Sequence, residues 1–241
     1  RNFSPIKFGS WMGGDRDGNP NVTASVTKET ILLSRWQAAK LYEKELTKLI
    51  QDLSINECSK EILKFTGKIF EPYRVYLRPL RNKIRSTHQL IEKHLNQNEK
   101  LDEKKLIQSK NEILEPLRIV RDSLNKNKGE KIANGGLLDL TRRTRCFGIN
   151  LARIDIRQES SRHSKLISEI IKKKFNYNLL SENKKINLLI SLIKNKKFIK
   201  NLKLKDPDNK EAWATFQLLS TQPKECLGAY VISMTAYASD I

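Results

Sequence analysis

Trp11-Met12-Gly13-Gly14-Asp15-Arg16-Asp17-Gly18-Asn19-Pro20 sets an indole, a bendable backbone and opposed charges within one short stretch. Glycine pairs allow positive φ and close approach of the backbone to a ligand, and Asp15, Arg16 and Asp17 are more charge than packing requires. The stretch reads as a binding-site loop; a solvated turn after a short apolar run is the alternative. A calcium loop is excluded, because the twelfth position counted from Asp15 is Val26 and the glycine falls at the wrong place.

A second stretch, Leu151-Ala152-Arg153-Ile154-Asp155-Ile156-Arg157-Gln158-Glu159-Ser160, alternates apolar and charged residues with the period of a strand. Ala152, Ile154 and Ile156 then face one way, and Arg153, Asp155 and Arg157 the other. Asp155 is expected to pair with one arginine and leave the second for an anion. A guanidinium grips carboxylate or phosphate through two parallel hydrogen bonds. The alternative is a half-exposed strand with its charged face in water. His163, a few residues on, reads as a helix-start histidine bonded to a neighbouring carboxylate, with proton transfer as its other possible role. His88 and His94 fall in a polar helical segment and read as surface residues.

The elements that must carry these groups are mostly helical. Thr27 reads as a cap, followed by Leu32, Ala39, Tyr42, Leu46, Leu49 and Leu53 at three-, four- and seven-residue steps. Further helical patterns run over 59–70, 73–97, 110–126, 134–146, 160–174, 184–197 and 208–221, with Pro72, Pro79 and Pro116 early in a helix or at a kink. Strands are expected near 6–12, 149–157 and 228–234, separated by long helical insertions. The fold class is therefore mainly α with a few short β-strands. The chain opens on Arg1, and an apolar run is followed by Ser239-Asp240, a helix-start pair. This strand, loop and helix start read as the front half of a βα unit, so residues 1–241 are expected to be one internal fragment of a larger domain.

With 241 residues and 38% hydrophobic composition, a core is affordable despite 30% charged residues, and the length suits one large domain or two small ones. No run of about 18 apolar residues exists, which argues against a membrane span. Cys58, Cys146 and Cys226 have no metal-ligand spacing and read as reduced residues of a cytoplasmic protein; no metal site is expected among the residues of this chain. The formal charge of +19 raises nucleic acid as a partner. Lysine supplies 31 of the 46 basic residues, and twelve lysines fall between Lys172 and Lys210 with little aromatic interleaving, which fits a solvated surface rather than a stacking platform. Arginine is distributed differently: Arg142, Arg143, Arg145, Arg153, Arg157 and Arg162 place six of fifteen within 21 residues.

WMGGDRDGNP (11–20), FGINLARIDIRQESSRH (147–163) and GAYVISM (228–234) together resemble phosphoenolpyruvate carboxylase of the bacterial type, in the family's order, with YRVYLRPLRNKI (73–84) and ANGGLLDLTRRTRCFG (133–148) as weaker matches. Family members are several times longer, so the chain resembles an internal piece of one. The resemblance implies a fragment of a (β/α)8 barrel with large helical insertions and an active site at the C-terminal ends of the strands. It implies that Trp11 helps form an apolar pocket beside the substrate and that Arg157 contacts phosphoenolpyruvate as a catalytic group, with Asp15, Arg16, Asp17, Arg153 and Asp155 as supporting positions around them. An indole wall would exclude water from a reactive intermediate, and a cation at a strand end would stabilise charge on the phosphoryl group. The implied reaction joins phosphoenolpyruvate and bicarbonate into oxaloacetate and phosphate, feeding the tricarboxylic acid cycle in the cytoplasm. It uses Mg2+ or Mn2+ held by ligands outside this chain, in a protein that is a homotetramer at full length. On this reading neither nucleic acid nor membrane is a partner, and the fragment alone is inactive. A basic helical nucleic-acid-binding module and a catalytically silent carboxylase relic are the competing readings.

Overall fold

In the computed structural model, which describes residues 6–171, 176–194 and 202–241, the longest element is helix α1 (Ala24–Asp52). Its Leu32, Ala39, Tyr42, Leu46 and Leu49 are buried, as is Leu53 just past its end, so the spacing read from the sequence is the helix's inner stripe. The start is not at Thr27. The Val26 amide donates to Thr23 Oγ1 (3.3 Å) and the Ala24 amide donates to the Glu211 carboxylate, 187 residues along the chain. Thr27 lies inside the first turn, and its hydroxyl serves the preceding loop instead.

The three strands β1 (Gly9–Ser10), β2 (Arg153–Glu159) and β3 (Leu227–Ser233) form one sheet in the order β1-β2-β3, with β2 and β3 parallel. The strand expected over 6–12 is only the two residues of β1. Along β2, Ile154, Ile156 and Gln158 are buried while Arg153, Asp155, Arg157 and Glu159 are half-buried, the alternation that period two dictates. Ile154 and Ile156 are each 2% exposed, and burial of each stabilises by roughly 1.5–3 kcal/mol. The ladder slips once: Ile154 pairs with Leu227 but Ile156 with Tyr230, so β3 holds one more residue than β2 between those pairs. The Asp155 carboxylate fills the gap by accepting from the Ala229 amide (2.8 Å), as a backbone carbonyl would in an unbroken ladder.

The chain divides into two compact units. The first comprises residues up to Gly9, Ile31–Arg153 and Pro223–Cys226. It contains most of α1 with α2 (Lys60–Thr66), α3 (Pro72–Gln97), α4 (Asn111–Lys126), α5 (Glu130–Ala133) and α6 (Gly136–Phe147). Helix α3 starts on Pro72, whose missing N–H costs nothing at that position, and buries Tyr73, Leu77, Leu80, Ile84 and Ile91. Glycine at position 148 is required, since α6 ends there at φ 71°, and the Gly148 carbonyl accepts from the buried Tyr42 hydroxyl (2.8 Å). His88 departs from its expected surface role: its side chain is only 12% exposed and its Nε2 meets the Glu43 carboxylate at 2.5 Å. His94 bonds the Glu99 carbonyl (2.7 Å). All three cysteines are free, and Cys226 is buried, which pushes its thiol up to about 12.

The second unit comprises Ser10–Thr30, Ile154–Gln222 and Leu227–Ile241. Its helices are α7 (Ser160–Ile171), α8 (Glu182–Lys194) and α9 (Pro207–Thr221); the expected helical patterns over 160–174 and 184–197 run on into residues outside those described. Helix α9 has Asp206 as N-cap, accepting from the Asn209 amide (3.1 Å), and Pro207 at its first position. The Asn209 side chain then donates to Glu169 Oε2 of α7 (2.7 Å). Among the described residues no helix is long and apolar enough to cross a membrane.

Candidate functional site

The loop between β1 and α1 is shaped by its glycines. The Trp11 carbonyl accepts from the amides of Gly14 (2.9 Å) and Asp15 (3.1 Å), closing a tight turn in which Gly13 has φ 75°. Gly14 is needed for space: a Cβ there would lie 2.1 Å from the Asp155 carbonyl oxygen. That close approach lets the loop run beside β2 as a parallel bridge between Asp15 and Arg157, with Arg157 N donating to Gly14 O (2.9 Å) and Arg16 N donating to Arg157 O (3.1 Å).

An arginine of the loop and one of β2 thus lie side by side, and their side chains have different surroundings. Arg16 is 7% exposed and donates to Gly14 O (3.2 Å), Thr23 O (3.4 Å) and Thr27 Oγ1 (2.5 Å). Thr27 Oγ1 in turn donates to Gly13 O (2.5 Å). Burial lowers the Arg16 pKa from its ordinary value, with Glu211 and Tyr230 opposing. Arg16 is therefore a clamp that ties the loop to the first turn of α1, rather than a group free for a ligand.

Arg157 is held but not consumed. Its Nη1 lies 3.5 Å from Asp15 Oδ2, its guanidinium sits 4.7 Å from the centroid of the Trp11 ring, and its Nε is buried without a hydrogen-bond partner. Trp11 is 60% exposed, so one face of the indole carries the cation and much of the residue is open. The expected pairing of Asp155 with an arginine is not observed, because the Ala229 amide takes its carboxylate. Asp17 is exposed and its amide donates to Asp15 Oδ1 (3.3 Å). Arg153, in the first unit, donates its backbone amide to the Phe8 carbonyl (3.1 Å).

Beside this loop a cleft of about 220 Å³ is lined by Arg16, Asn19, Gln158, Glu159 and Arg162 among others. Arg162 pairs with Asp208 (2.6 Å). Gln158 and Glu159 were not singled out from the sequence, although their place at the end of an alternating strand was a signal available there. His163 is bonded to a hydroxyl, not to a carboxylate side chain: its Nε2 lies 2.8 Å from Tyr230 Oη, and its ring lies 5.7 Å from those of both Phe216 and Tyr230. Burial lowers the His163 pKa, opposed by Asp240, and pushes the Tyr230 hydroxyl up to about 12. Among the described residues no three His, Cys, Asp or Glu side chains gather into a possible metal site.

Residues 1–241 match a family model described as phosphoenolpyruvate carboxylase. Among curated proteins, the chain is 44% identical over 250 residues to the phosphoenolpyruvate carboxylase of Acinetobacter baylyi and 43% identical to that of Acinetobacter baumannii, covering 99% of this chain in each case. It is 41% identical over 242 residues to the phosphoenolpyruvate carboxylase of Photorhabdus laumondii, covering 98% of this chain. The chain spans 28% of the length of each of these relatives.

Proposed function

The chain belongs to the phosphoenolpyruvate carboxylase family, and on that premise we propose that it contributes part of the substrate site of an enzyme forming oxaloacetate and phosphate from phosphoenolpyruvate and bicarbonate. Bicarbonate oxygen attacks the phosphorus, the bond from phosphorus to the enol oxygen breaks, and carboxyphosphate and the enolate of pyruvate result. The enolate carbon then takes the carboxyl group as phosphate leaves. In this reading β1, β2 and β3 are strands of a (β/α)8 barrel whose other members lie elsewhere in the whole protein, and the helices of the first unit are insertions between them.

The observation that carries the reading is Arg157: a guanidinium at the C-terminal part of β2, oriented by Asp15 at Nη1 and by the open face of Trp11. A strand-end cation held this way is pre-organised for an anion and stabilises negative charge that develops on a phosphoryl group. Trp11 supplies the apolar wall that keeps water from the enolate and carboxyphosphate, and Asp15, Arg16, Asp17 and Asp155 shape the backbone and field around these two residues. The family's divalent ion, magnesium or manganese, finds no ligand set among the described residues and is assigned to residues outside this chain. The whole protein is proposed to be a cytoplasmic homotetramer with phosphoenolpyruvate and bicarbonate as substrates.

The test is Arg157→Ala in the full-length enzyme, assayed by coupling oxaloacetate to malate dehydrogenase. Turnover is expected to fall by about two orders of magnitude or more, the scale of losing a preorganised charge-stabilising group; near-normal kinetics would contradict the assignment. The isolated 241 residues are expected to form no oxaloacetate in the same assay.

A further inference from the structure

We propose that Asp15 is the positioning residue for Arg157, fixing which edge of the guanidinium faces the substrate anion. The proposal rests on the reading of Arg157 given above. Three observations single out Asp15 among the acidic residues of the loop and strand. Its backbone is bridged to that of Arg157, so loop and strand cannot slide past each other without breaking two hydrogen bonds. Its carboxylate is itself oriented, with Oδ1 accepting from the Asp17 amide (3.3 Å) and Oδ2 facing Arg157 Nη1 (3.5 Å). Asp155 is occupied by the Ala229 amide, and Asp17 points into solvent.

Arginine carries several rotatable bonds, and a charge on a flexible stem is a poor electrostatic catalyst unless its orientation is set before the reaction. Here the Trp11 ring fixes the face of the guanidinium, with its carbon 4.7 Å from the ring centroid, and Asp15 fixes one edge. Nη1 faces Asp15 and Nε is buried, so the Nη2 end of the guanidinium is the part left for an anion.

Charge and geometry predict opposite signs when Asp15 is neutralised. Phosphoenolpyruvate is an anion, so removing a neighbouring negative charge would by field alone tighten its binding and lower KM. Loss of orientation instead lowers kcat/KM. The experiment is steady-state kinetics of the full-length enzyme with Asp15→Asn, Arg157→Ala and the double substitution, alongside thermal melting of each. Asp15→Asn is expected to lower kcat/KM for phosphoenolpyruvate about 10- to 100-fold, mostly through kcat, with melting close to wild type. In the Arg157→Ala background it is expected to have no further effect, since there is nothing left to orient.

An equal loss in both backgrounds, unchanged kinetics, or a fall in KM with kcat preserved would each overturn the positioning role while leaving the role of Arg157 intact. Normal kinetics of Arg157→Ala alone would overturn both. Should Asp15→Asn not fold, Asp15→Glu, which retains the charge but displaces it by a methylene, is read in the same pair of backgrounds.

Discussion

Replacing Gly14 by alanine tests the placement of the loop on β2 with the fewest side effects. The backbone φ of Gly14 lies outside the left-handed region, so alanine is tolerated conformationally and the whole penalty is steric. A Cβ would lie 2.1 Å from the Asp155 carbonyl oxygen and 2.8 Å from Ile154 Cγ2, both in the wall of β2, so the loop must retreat by about 1 Å. Retreat lengthens the bonds Arg157 N to Gly14 O (2.9 Å) and Arg16 N to Arg157 O (3.1 Å). Two net hydrogen bonds at about 1 kcal/mol each, with a strain of about 1–3 kcal/mol, weaken the closed loop by about 3–5 kcal/mol. At about 1.4 kcal/mol per tenfold, amide exchange of peptides covering residues 10–20 and 153–160 should accelerate by at least about 100-fold in the full-length enzyme. A displacement of about 1 Å at a positioned group should also lower kcat/KM by about 100-fold. Wild-type exchange in both peptides would refute the reasoning, whatever the activity, because it would mean that the loop does not ride on the strand.

Arg16→Leu deprives Gly14 O, Thr23 O and Thr27 Oγ1 of a buried donor and should destabilise the loop by about 3 kcal/mol, read as faster tryptic or chymotryptic cleavage between residues 11 and 27. His163 has a folded-state pKa below its unfolded value, so the unfolded chain takes up the proton more readily: stability is full above the unfolded pKa of about 6.5 and declines as pH falls below it. Urea titrations from pH 7.5 to 5 should therefore show a falling midpoint that is flatter in His163→Gln. Tyr42→Phe strips the Gly148 carbonyl of its donor (2.8 Å) and should cost about 1–2 kcal/mol of stability by denaturant titration, with kcat/KM unchanged. Fluorescence anisotropy with a labelled duplex at 0.15 M salt should show no binding; a steep decline of affinity with salt would instead support a nucleic-acid module.

What the sequence made legible were features of local period. The stripe Leu32, Ala39, Tyr42, Leu46, Leu49 is the buried face of α1, and Ile154, Ile156 and Arg157 fall on the two faces that alternation assigns them, because both patterns follow from backbone geometry alone. What was not legible depended on partners distant in the chain. Thr27 has the residue type of a cap, but the helix begins three residues earlier, where Glu211 takes the Ala24 amide. Asp155 was expected to meet an arginine within its own strand, yet the slip in the β2–β3 ladder frees an amide on β3 that claims it first. The charges of the loop were recognised as more than packing needs, but only the fold separates Arg16, enclosed with both terminal nitrogens on acceptors, from Arg157, stacked on an open indole. His163 could not be matched with Tyr230 from spacing, since the two are 67 positions apart.

The extra residue in β3 acts as a counter. Successive strand residues point to opposite faces, so the count between Leu227 and Tyr230 decides whether odd- or even-numbered side chains downstream face the helices. Deleting Ala229 would bring Val231 into the place of Tyr230 and Ser233 into that of Ile232. That exchange would remove the hydroxyl at 2.8 Å from His163 and the ring stacked at 5.7 Å on Phe216. Length is thereby a coded quantity in this strand: a single-residue deletion at position 229 would exchange the two faces for every residue beyond it, whereas a two-residue deletion would keep the alternation but still bring Ile232 into the place of Tyr230.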